Sequence, residues 1–233
     1  MEDKRILIIG AGSQSKQDPS IKGIGTCLVE RLPREERLLI LFTYYNSEEG
    51  ANKLIKKVNP SCELSSFRFN SLNYQAEWQN LDSKLQEFGT PNIFVYNAGI
   101  KFYKEHLTDS EKEATMKVNY LCPVFLIDKI GEKMVQEHRQ GKIILTSSIL
   151  AGKHHPFLEE YCLSKGLLNE YVQEHKMSWK DRGVEISVIC PNVTKTPMTE
   201  ERIGYYEQLV KEGRRDKLYT AEEIAESIVK LCL

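Results

Sequence analysis

The sequence predicts an α/β fold in which a single parallel sheet is covered by helices on both faces. Short apolar runs alternate with segments of helical spacing along the chain. Most of the runs are continuous rather than alternating, which is typical of strands buried on both faces. The alternation of strands and helices indicates a doubly wound sheet. Because no linker-like stretch or internal repeat divides the chain, we expect one domain spanning residues 1–233.

The apolar runs and the helical segments give the predicted order of elements. The predicted strands, of which the third is the weakest, are Ile6–Ile9, Leu38–Phe42, Leu64–Phe69, Ile93–Tyr96, Ile143–Leu145 and Ile186–Cys190. The predicted helices are 23–32, 47–58, 74–88, 109–138, 160–180, 199–212 and 220–232.

Composition excludes several broad classes of protein. Of the 233 residues, 41% are hydrophobic and 28% are charged, which rules out collagen-like and mostly disordered chains. The net charge of -1 gives no sign of a non-specific nucleic-acid or membrane-surface binder. No apolar run approaches the roughly 20 residues of a membrane span, and no secretory signal precedes the first strand. We therefore expect neither nucleic acid nor a membrane as a partner.

The cysteines point to a reducing environment. The six cysteines are scattered, with no CxxC pair and no Cys/His cluster at zinc spacing. Isolated thiols of this kind are typical of cytosolic proteins. We therefore expect a cytoplasmic protein that binds no metal.

Glycines surround the turn between the first strand and the first helix. Gly10 ends the strand, and Gly23, Ile24 and Gly25 open the helix. Glycine at such a turn lets backbone N–H groups approach a phosphate, and the helix N-terminus adds partial positive charge. The spacing departs from the GxGxxG template, so the glycines alone favour dinucleotide binding and a plain flexible turn about equally.

A tyrosine and a lysine share one helix face. Tyr161 and Lys165 are four residues apart near the start of the predicted helix 160–180. Such pairs occur in any helix, so the neighbouring motifs decide their meaning. Ser148 follows a predicted strand and lies thirteen residues before Tyr161, and Asn97 follows the preceding strand. In an open α/β sheet, ligands bind at the ends of the strands where these polar residues lie.

The whole set of motifs resembles the short-chain dehydrogenase/reductase family. The motifs, in family order and at family spacing over about residues 5–230, are Gly23-Ile24-Gly25, Asn97-Ala98-Gly99, Val118-Asn119, Ser147-Ser148, Tyr161-x-x-x-Lys165 and Pro191-x-x-x-x-Thr196. The resemblance implies a Rossmann-type fold and reversible hydride transfer between a nicotinamide cofactor and a carbonyl or secondary alcohol. The segment 46–51 resembles reductases of the 3-oxoacyl carrier-protein type, although this segment concerns the cofactor rather than the substrate.

The resemblance implies four catalytic residues. Tyr161 would be the acid/base, Ser148 would bind the substrate oxygen, and Lys165 would also hold the nicotinamide ribose. Free tyrosine has a pKa near ~10, and we expect Lys165, with the oxidised nicotinamide, to lower it. Pro123 removes the hydrogen bond to the carbonyl four residues earlier, that of Asn119, so we expect a kink there. The freed carbonyl of Asn119 would then hold a water in a proton relay.

The expected cofactor is NADP(H), with NAD(H) as the alternative. The second strand ends without a carboxylate until Glu48, whereas an acidic residue there usually binds the ribose hydroxyls of NAD. Lys22, Thr43 and Tyr44 would receive the 2′-phosphate, and Asn70 would contact the adenine. The family pattern places the remaining cofactor contacts at Gly10, Gly23, Ile24, Gly25, Asn97, Ala98, Gly99, Tyr161, Lys165, Pro191, Val193 and Thr196.

The sequence departs from the family pattern in three places. Gly10 and Gly23 are thirteen residues apart instead of four, the usual Pro-Gly reads Pro191-Asn192, and the usual seventh strand is missing. In the family that strand helps build one of two subunit interfaces. We therefore expect six strands and a homodimer formed through the helices 109–138 and 160–180. A catalytically impaired NADP-binding regulator or scaffold is the alternative function, which the insertion and the missing strand favour.

Overall fold

Six parallel strands form the centre of the computed structural model, which describes residues 3–32, 38–57, 63–137 and 140–233. Cys62 and positions 58 and 138, the predicted last residues of two helices, lie outside the described residues. The strand order is β3-β2-β1-β4-β5-β6. The strands are β1 Lys4–Ile9, β2 Leu38–Tyr44, β3 Glu63–Arg68, β4 Ile93–Tyr96, β5 Gly141–Thr146 and β6 Val184–Ile189.

The doubly wound sheet predicted from the sequence is therefore confirmed. The chain moves outward from β1 to β3 and then returns to place β4 on the other side of β1. The loops after β1 and β4 consequently diverge and leave a crevice at the carboxyl edge of the sheet. In the part of the chain that the structure describes, no seventh strand joins the sheet, and β6 forms one edge.

Eight α-helices surround the sheet in the described residues. They are α1 Ile24–Arg31, α2 Glu48–Lys57, α3 Tyr74–Phe88, α4 Asp109–Met116, α5 Cys122–Gln136, α6 Glu159–Asp181, α7 Ile203–Lys211 and α8 Ala221–Cys232. The predicted helix 199–212 begins instead as a 3₁₀ segment, Pro197–Arg202, and continues as α7. Pro197 opens this segment, since proline has the backbone angle of a first turn.

The two faces of the sheet bury separate apolar cores. On one face, α1, α2 and α8 pack against side chains such as Ile8, Phe42 and Val95. On the other face, α3, α5 and α6 pack against side chains such as Leu7 and Phe94. Neighbouring strand residues thus point to opposite cores, which explains why the strands are continuously apolar. No helix of the described residues is long and apolar enough to cross a lipid bilayer.

The predicted kink near Asn119 is a short π-helical segment. Lys117–Leu121 joins α4 to α5, and the N–H of Cys122 donates to the carbonyl of Lys117, five residues earlier. In this register the residue facing the carbonyl of Val118 is Pro123, which has no N–H to donate. The hydroxyl of Tyr96, on β4, donates to that carbonyl instead, at 2.7 Å. The strand that ends in the Asn97 motif is thereby tied to the helix that carries Asn119.

We expect Tyr96→Phe to lower the free energy of unfolding by about 1–3 kcal/mol, because it leaves the buried carbonyl of Val118 without a donor. Urea unfolding of the variant and the wild type measures the difference. Tyr74→Phe is the matched control, since the Tyr74 ring packs on Phe125 and its hydroxyl has no hydrogen-bond partner among the described residues. Equal destabilisation by the two substitutions would contradict this role of the Tyr96 hydroxyl.

Candidate active site

A cleft of about 650 Å³ opens at the carboxyl edge of the sheet, where the loops after β1 and β4 diverge. Its volume is within the usual range for a small-molecule or cofactor site. Most of the predicted site residues line it: Gly10, Gly23, Ile24, Thr43, Tyr44, Asn70, Asn97, Ala98, Gly99, Ser148, Tyr161, Lys165, Pro191, Val193 and Thr196. The predicted residues that do not line it are Lys22, Gly25 and Asn119.

Close backbone approach forms the cradle at one end of the cleft. A Cβ at Gly25 would lie 2.1 Å from the carbonyl oxygen of Gly10, so only glycine lets α1 pack this tightly on β1. Gly10 itself has a φ of +92°, and a Cβ there would lie 2.7 Å from the Cα of Ala98. The first turn of α1 has no side-chain cap, which leaves its backbone N–H groups available to an anion.

Asn97 joins the ends of three strands beneath the cleft. Its Nδ2 donates to the carbonyl of Gly10 at 2.8 Å, after β1. Its Oδ1 accepts from the hydroxyl of Thr146, the last residue of β5, at 3.3 Å. The backbone N–H groups of Asn97 and Ala98 both donate to Ile9. Asn97 therefore fixes the floor of the cleft, and Gly99 forms part of the same surface.

The end of β2 forms the far wall of the cleft without any charge. Thr43 is buried, and its hydroxyl accepts from the N–H of Gly10 at 3.2 Å. Tyr44, Tyr45 and Asn46 follow it along the wall. The side-chain oxygen of Asn70 accepts from the N–H of Leu72 and so begins a 3₁₀ turn, Ser71–Asn73.

Lys22 does not reach the cleft, contrary to the role predicted for it. Its ammonium forms an ion pair with Glu30 of α1 at 2.8 Å, and Lys57 pairs with the same carboxylate. The hydrogen bond to Glu30 raises the pKa of Lys22. The sequence showed the proximity of Lys22 to Gly23, but Glu30 lies two helical turns further along α1 and meets Lys22 only through folding. In this conformation Lys22 is directed to Glu30 instead of the cleft, and the structure gives no support to its predicted role in phosphate binding.

The inserted loop after Gly12 folds back on itself and contacts the segment after β6. An isolated bridge joins Gln14 to Lys22, and the N–H of Ser15 donates to Ile21 at 2.8 Å. The hydroxyl of Ser15 donates to the carboxylate of Glu200, in the 3₁₀ segment 197–202. The insertion thus joins the glycine end of the cleft to the 3₁₀ segment that follows β6.

Tyr161 and Ser148 meet at the other end of the cleft. The hydroxyl of Ser148 lies near enough to that of Tyr161 to oppose the rise of its pKa, and it accepts from the N–H of Leu150 at 3.1 Å. Ser147 turns away, since its hydroxyl donates to the carbonyl of Lys165 at 3.4 Å. The geometry therefore agrees with the thirteen-residue interval that favoured Ser148 over Ser147.

Lys165 lies one helical turn beyond Tyr161 and is buried. Its ammonium donates to the carbonyl of Thr146 at 2.8 Å, at the end of β5. Burial lowers the pKa of Lys165 to about 8. A buried lysine of this kind keeps a cation inside the cleft at neutral pH and places it at a fixed point.

Burial raises the pKa of Tyr161, and the nearby hydroxyl of Ser148 only partly opposes this effect. The sequence predicted a lowered pKa, through Lys165 together with an oxidised nicotinamide. In the chain without a cofactor the ammonium donates to Thr146 and the phenol is desolvated, so the lowering by Lys165 together with a bound nicotinamide stays a prediction. Tyr161 is consequently a protonated group at neutral pH.

Asn119 supports the cleft from behind. It is fully buried, and its side chain exchanges two hydrogen bonds with the backbone of Ile100, at 3.0 and 2.9 Å. Its Nδ2 also lies 3.1 Å from the hydroxyl of Ser164, on α6. Asn119 thereby fixes the backbone that follows Gly99 and joins it to the helix of Tyr161. The π-helical register moves the carbonyl that faces Pro123 from Asn119 to Val118, so the predicted reason for a free Asn119 carbonyl does not hold, and its water-holding role stays a prediction.

The turn after β6 closes the cleft above the cradle. The carbonyl of Pro191 accepts from the N–H of Ile149 at 3.0 Å. Asn192 replaces the usual glycine, and its Oδ1 accepts from the N–H of Val193 and from Arg215, at 2.8 and 2.7 Å. The N–H of Thr196 donates to the hydroxyl of Thr199 at 3.1 Å. The asparagine side chain thus holds a turn that glycine would normally make.

Charge in the cleft has one sign. No Asp or Glu lines it in the described part of the chain, and its charged side chains are Lys101 and Lys165. Lys101 was not predicted from the sequence as a site residue. Its position two residues after the Asn97-Ala98-Gly99 motif could have indicated it. Across the described ranges, no group of three or more His, Cys, Asp or Glu is arranged to hold a metal ion.

The family model for short chain dehydrogenases matches residues 4–204. The chain belongs to the short-chain dehydrogenase/reductase family. This membership makes it an oxidoreductase that acts on alcohol and carbonyl groups. The Rossmann-type sheet and the motif order resembling this family both agree with the match.

Individual relatives differ in substrate and cofactor. Diacetyl reductase [(S)-acetoin forming] of Staphylococcus epidermidis is 24% identical over 227 residues, covering 91% of this chain and 82% of that protein. L-rhamnose 1-dehydrogenase (NADP(+)) of Thermoplasma acidophilum is 26% identical over 207 residues, covering 83% and 77%. The structure of 3-oxoacyl-[acyl-carrier protein] reductase from Brucella melitensis, in complex with NAD, has a TM-score of 0.83 at 18% identity, covering 100% and 90%. At that identity the structural likeness concerns the fold alone.

The pKa of Lys165 predicts a pH dependence of stability for the protein without ligands. Between pH 8 and 10.5 the folded chain releases the Lys165 proton while the unfolded chain keeps it. The free energy of unfolding therefore rises through this window, by about 3 kcal/mol in total. Below pH 8 both states are protonated, and the full burial penalty applies.

Urea unfolding between pH 7 and 10.5 tests this dependence in the wild type and in Lys165→Met. Other titrating groups are common to both proteins, so the difference between the two curves isolates Lys165. A constant difference across the window would contradict the lowered pKa.

Proposed function

We propose that the chain is an NADPH-dependent carbonyl reductase, reversible as an alcohol dehydrogenase, with Tyr161 as the acid/base. The observation that carries this proposal is one continuous cleft. Its glycine end presents the uncapped N-terminus of α1, and its other end presents Tyr161 with Ser148 and Lys165. A binding protein without turnover has no need for a buried lysine and a protonated phenol at the far end.

The residues present fit a nicotinamide dinucleotide. A Cβ at Gly10 or Gly25 would fill the cradle, and the free N–H groups of Ile24 and its neighbours suit a pyrophosphate. The end of β2 and Asn70 would hold the adenosine, and Lys165 with Asn97, Ala98 and Gly99 would hold the nicotinamide ribose. The loop of Pro191, Val193 and Thr196 would cover the nicotinamide. When bound, the cofactor supplies or accepts the hydride.

Proton transfer is the part that this chain's own side chains perform. The raised pKa keeps the proton on Tyr161, so its hydroxyl is a donor to a carbonyl oxygen at neutral pH. Ser148, beside Tyr161, orients the same oxygen. After the transfer, the cation of Lys165 stabilises the phenolate electrostatically. Asn119 positions the backbone wall against which the substrate rests.

The preference for NADP(H) over NAD(H) rests on the uncharged wall after β2. No carboxylate lines the cleft among the described residues, so nothing there repels a 2′-phosphate. The hydroxyls of Thr43 and Tyr44 and the N-terminus of α2 are the groups that would meet the phosphate. Because Lys22 is held by Glu30, the proposal does not use it.

The residues proposed for the acid/base chemistry do not indicate which carbonyl compound is the substrate. The segment 46–51, which favoured 3-oxoacyl carrier-protein reductases, lies at the start of α2, and its cleft-lining residues follow Tyr44 and Tyr45. That end of the cleft would face the adenosine rather than the reacting carbonyl. A carrier-protein substrate therefore stays a proposal supported only by resemblance.

We expect Tyr161→Phe to lower kcat/KM by roughly 10²–10⁴-fold, because it removes the proton donor. Its affinity for NADPH should stay within about two-fold of wild type, since the ring remains. NADPH oxidation with a panel of small ketones and aldehydes, together with a fluorescence titration of NADPH, measures both quantities.

Tyr171→Phe is the matched control for this prediction. Tyr171 lies on the same helix, but its hydroxyl donates to Asp128 outside the cleft. Full activity of Tyr161→Phe would contradict the proposed acid. A wild type that binds NADPH and reduces no carbonyl would favour the alternative of a binding regulator or scaffold.

We expect a negative charge introduced at Tyr44 to reverse the preference for NADPH over NADH. Tyr44→Asp places a carboxylate where the 2′-phosphate is proposed to bind, and it should weaken NADPH binding roughly ten-fold or more relative to NADH. Tyr44→Asn is the control of nearly equal shape without the charge. Competitive titration with both cofactors measures the ratio, and identical ratios in the two variants would contradict the placement of the phosphate.

We further propose a homodimer through the helices 109–138 and 160–180. Three exposed apolar side chains support it: Leu121 is 40% exposed, Leu163 is 49% exposed and Met177 is 57% exposed. Leu163 and Met177 are fourteen residues apart on α6, so they lie near the same face. We expect light scattering to give twice the mass of one chain, and Leu163→Arg to give a monomer. A tetramer would contradict this arrangement.

A cytoplasmic location is part of the same proposal. The described cysteines, Cys27, Cys122, Cys162, Cys190 and Cys232, are all free thiols. Unpaired thiols are usual where glutathione keeps the compartment reducing.

A further inference from the structure

The catalytic end of the cleft holds a cation that the mechanism above does not use. Lys101 lines the cleft two residues after Gly99, on the backbone that Asn119 clamps. It forms no ion pair and no side-chain hydrogen bond with any described residue. A half-buried ammonium without a partner is costly, and such groups are usually paired.

Arg202 adds a second cation beside the cleft, on the segment that follows β6. It ends the 3₁₀ segment 197–202, and its guanidinium lies over the ring of Tyr103 at 3.9 Å from the centroid. The rings of Tyr205 and Tyr206 are also within 6.0 Å, and Tyr206 lines the cleft. Its Nε is buried without a hydrogen-bond partner, and no carboxylate pairs with the guanidinium in the described residues.

The two cations act on each other. Burial lowers the pKa of Lys101, and the charge of Arg202 lowers it further. Cation–π contacts with the neighbouring rings stabilise the charge of Arg202, but they leave Lys101 and the Nε of Arg202 without a hydrogen-bond partner in the described residues. Like charges held together without a counterion indicate a site whose counterion arrives with a ligand.

Lys101 and Arg202 belong to segments that meet near Lys165, at the reacting end of the cleft. A Cβ at Gly99 would lie 3.8 Å from the ammonium of Lys165 and 3.9 Å from the methyl of Met198. Met198 belongs to the same 3₁₀ segment as Arg202. The cofactor phosphates are assigned to the cradle at Gly23–Gly25, so they do not serve as the missing counterion.

We propose that the substrate carries a carboxylate besides its reacting carbonyl, and that Lys101 and Arg202 bind this carboxylate. The inference rests on the proposed function and narrows its substrate to an oxo acid, reduced to a hydroxy acid. Arg202 offers the planar fork of donors that matches a carboxylate. The carbonyl carbon receives a hydride from the reduced nicotinamide, its oxygen receives the Tyr161 proton, and the carboxylate is unchanged.

Matched substrates test the proposal in the whole protein with NADPH. We compare 2-, 3- and 4-oxo acids with their methyl esters, which keep the carbonyl and lose the charge. The best acid should exceed its ester in kcat/KM by roughly 10–100-fold, the effect expected for hydrogen bonds to a charged group. Arg202→Gln and Lys101→Gln should each remove most of this difference while leaving the esters within about three-fold.

Lys104→Gln is the control on the same loop. Lys104 is exposed, and its ammonium pairs with Glu111 rather than facing the cleft. It should reduce acids and esters as the wild type does. Arg202→Lys, which keeps the charge, serves as a second variant if Arg202→Gln unfolds. Equal use of acids and esters by the wild type would overturn the proposal.

A binding arm separates this inference from the proposed function. Glutarate cannot be reduced, so calorimetric titration of the wild type and of Lys101→Gln reports the site without turnover. Binding that the substitution weakens at least ten-fold supports the carboxylate site, even if no carbonyl compound is reduced. Reduction of neutral ketones without glutarate binding would overturn the inference and leave the proposed function standing. Inorganic phosphate that displaces glutarate and binds as tightly would overturn the choice of a carboxylate.

Discussion

The close contact between α1 and the end of β1 is the constraint on which the rest of the site depends. Gly25 packs against the carbonyl of Gly10, and Gly10 packs against Ala98, at separations that no side chain allows. Asn97 secures the same point by donating to that carbonyl. The N-terminus of α1 consequently lies at the position where the strand order reverses, with its N–H groups directed into the cleft.

From this point the molecule extends two rigid connections to the reacting end. The first passes through Thr146, which bonds Asn97 on one side and receives the ammonium of Lys165 on the other. The second passes through Tyr96 and the π-helical segment to Asn119, which holds Ile100. The glycine cradle and the tyrosine are thus fixed relative to each other through hydrogen bonds rather than through loops. Burial of Lys165 lowers the free energy of unfolding. It also fixes a cation at one position in a cleft that no described carboxylate lines.

Much of this arrangement could be predicted from the sequence, because it depends on local pattern. Continuous apolar runs gave the six strands, and the four-residue interval placed Tyr161 and Lys165 on one helix face. Contacts between distant segments could not be predicted. Glu30 captures Lys22, Ser15 reaches Glu200, and Arg202 meets the aromatic rings near Lys101 only after folding. The raised pKa of Tyr161 belongs to the same group, since desolvation depends on the whole fold.

The central claim is that the cradle and the tyrosine form a single cofactor site, and calorimetric titration of the purified chain with NADPH and with NADH tests it most directly. The account predicts one saturable NADPH site per chain, with NADH binding more weakly. Tighter binding of NADH would leave the proposed oxidoreductase activity standing. It would reject the uncharged wall after β2 as the basis of a preference for NADPH. Absence of binding by either nucleotide would contradict the account, since the cradle would then not receive a pyrophosphate.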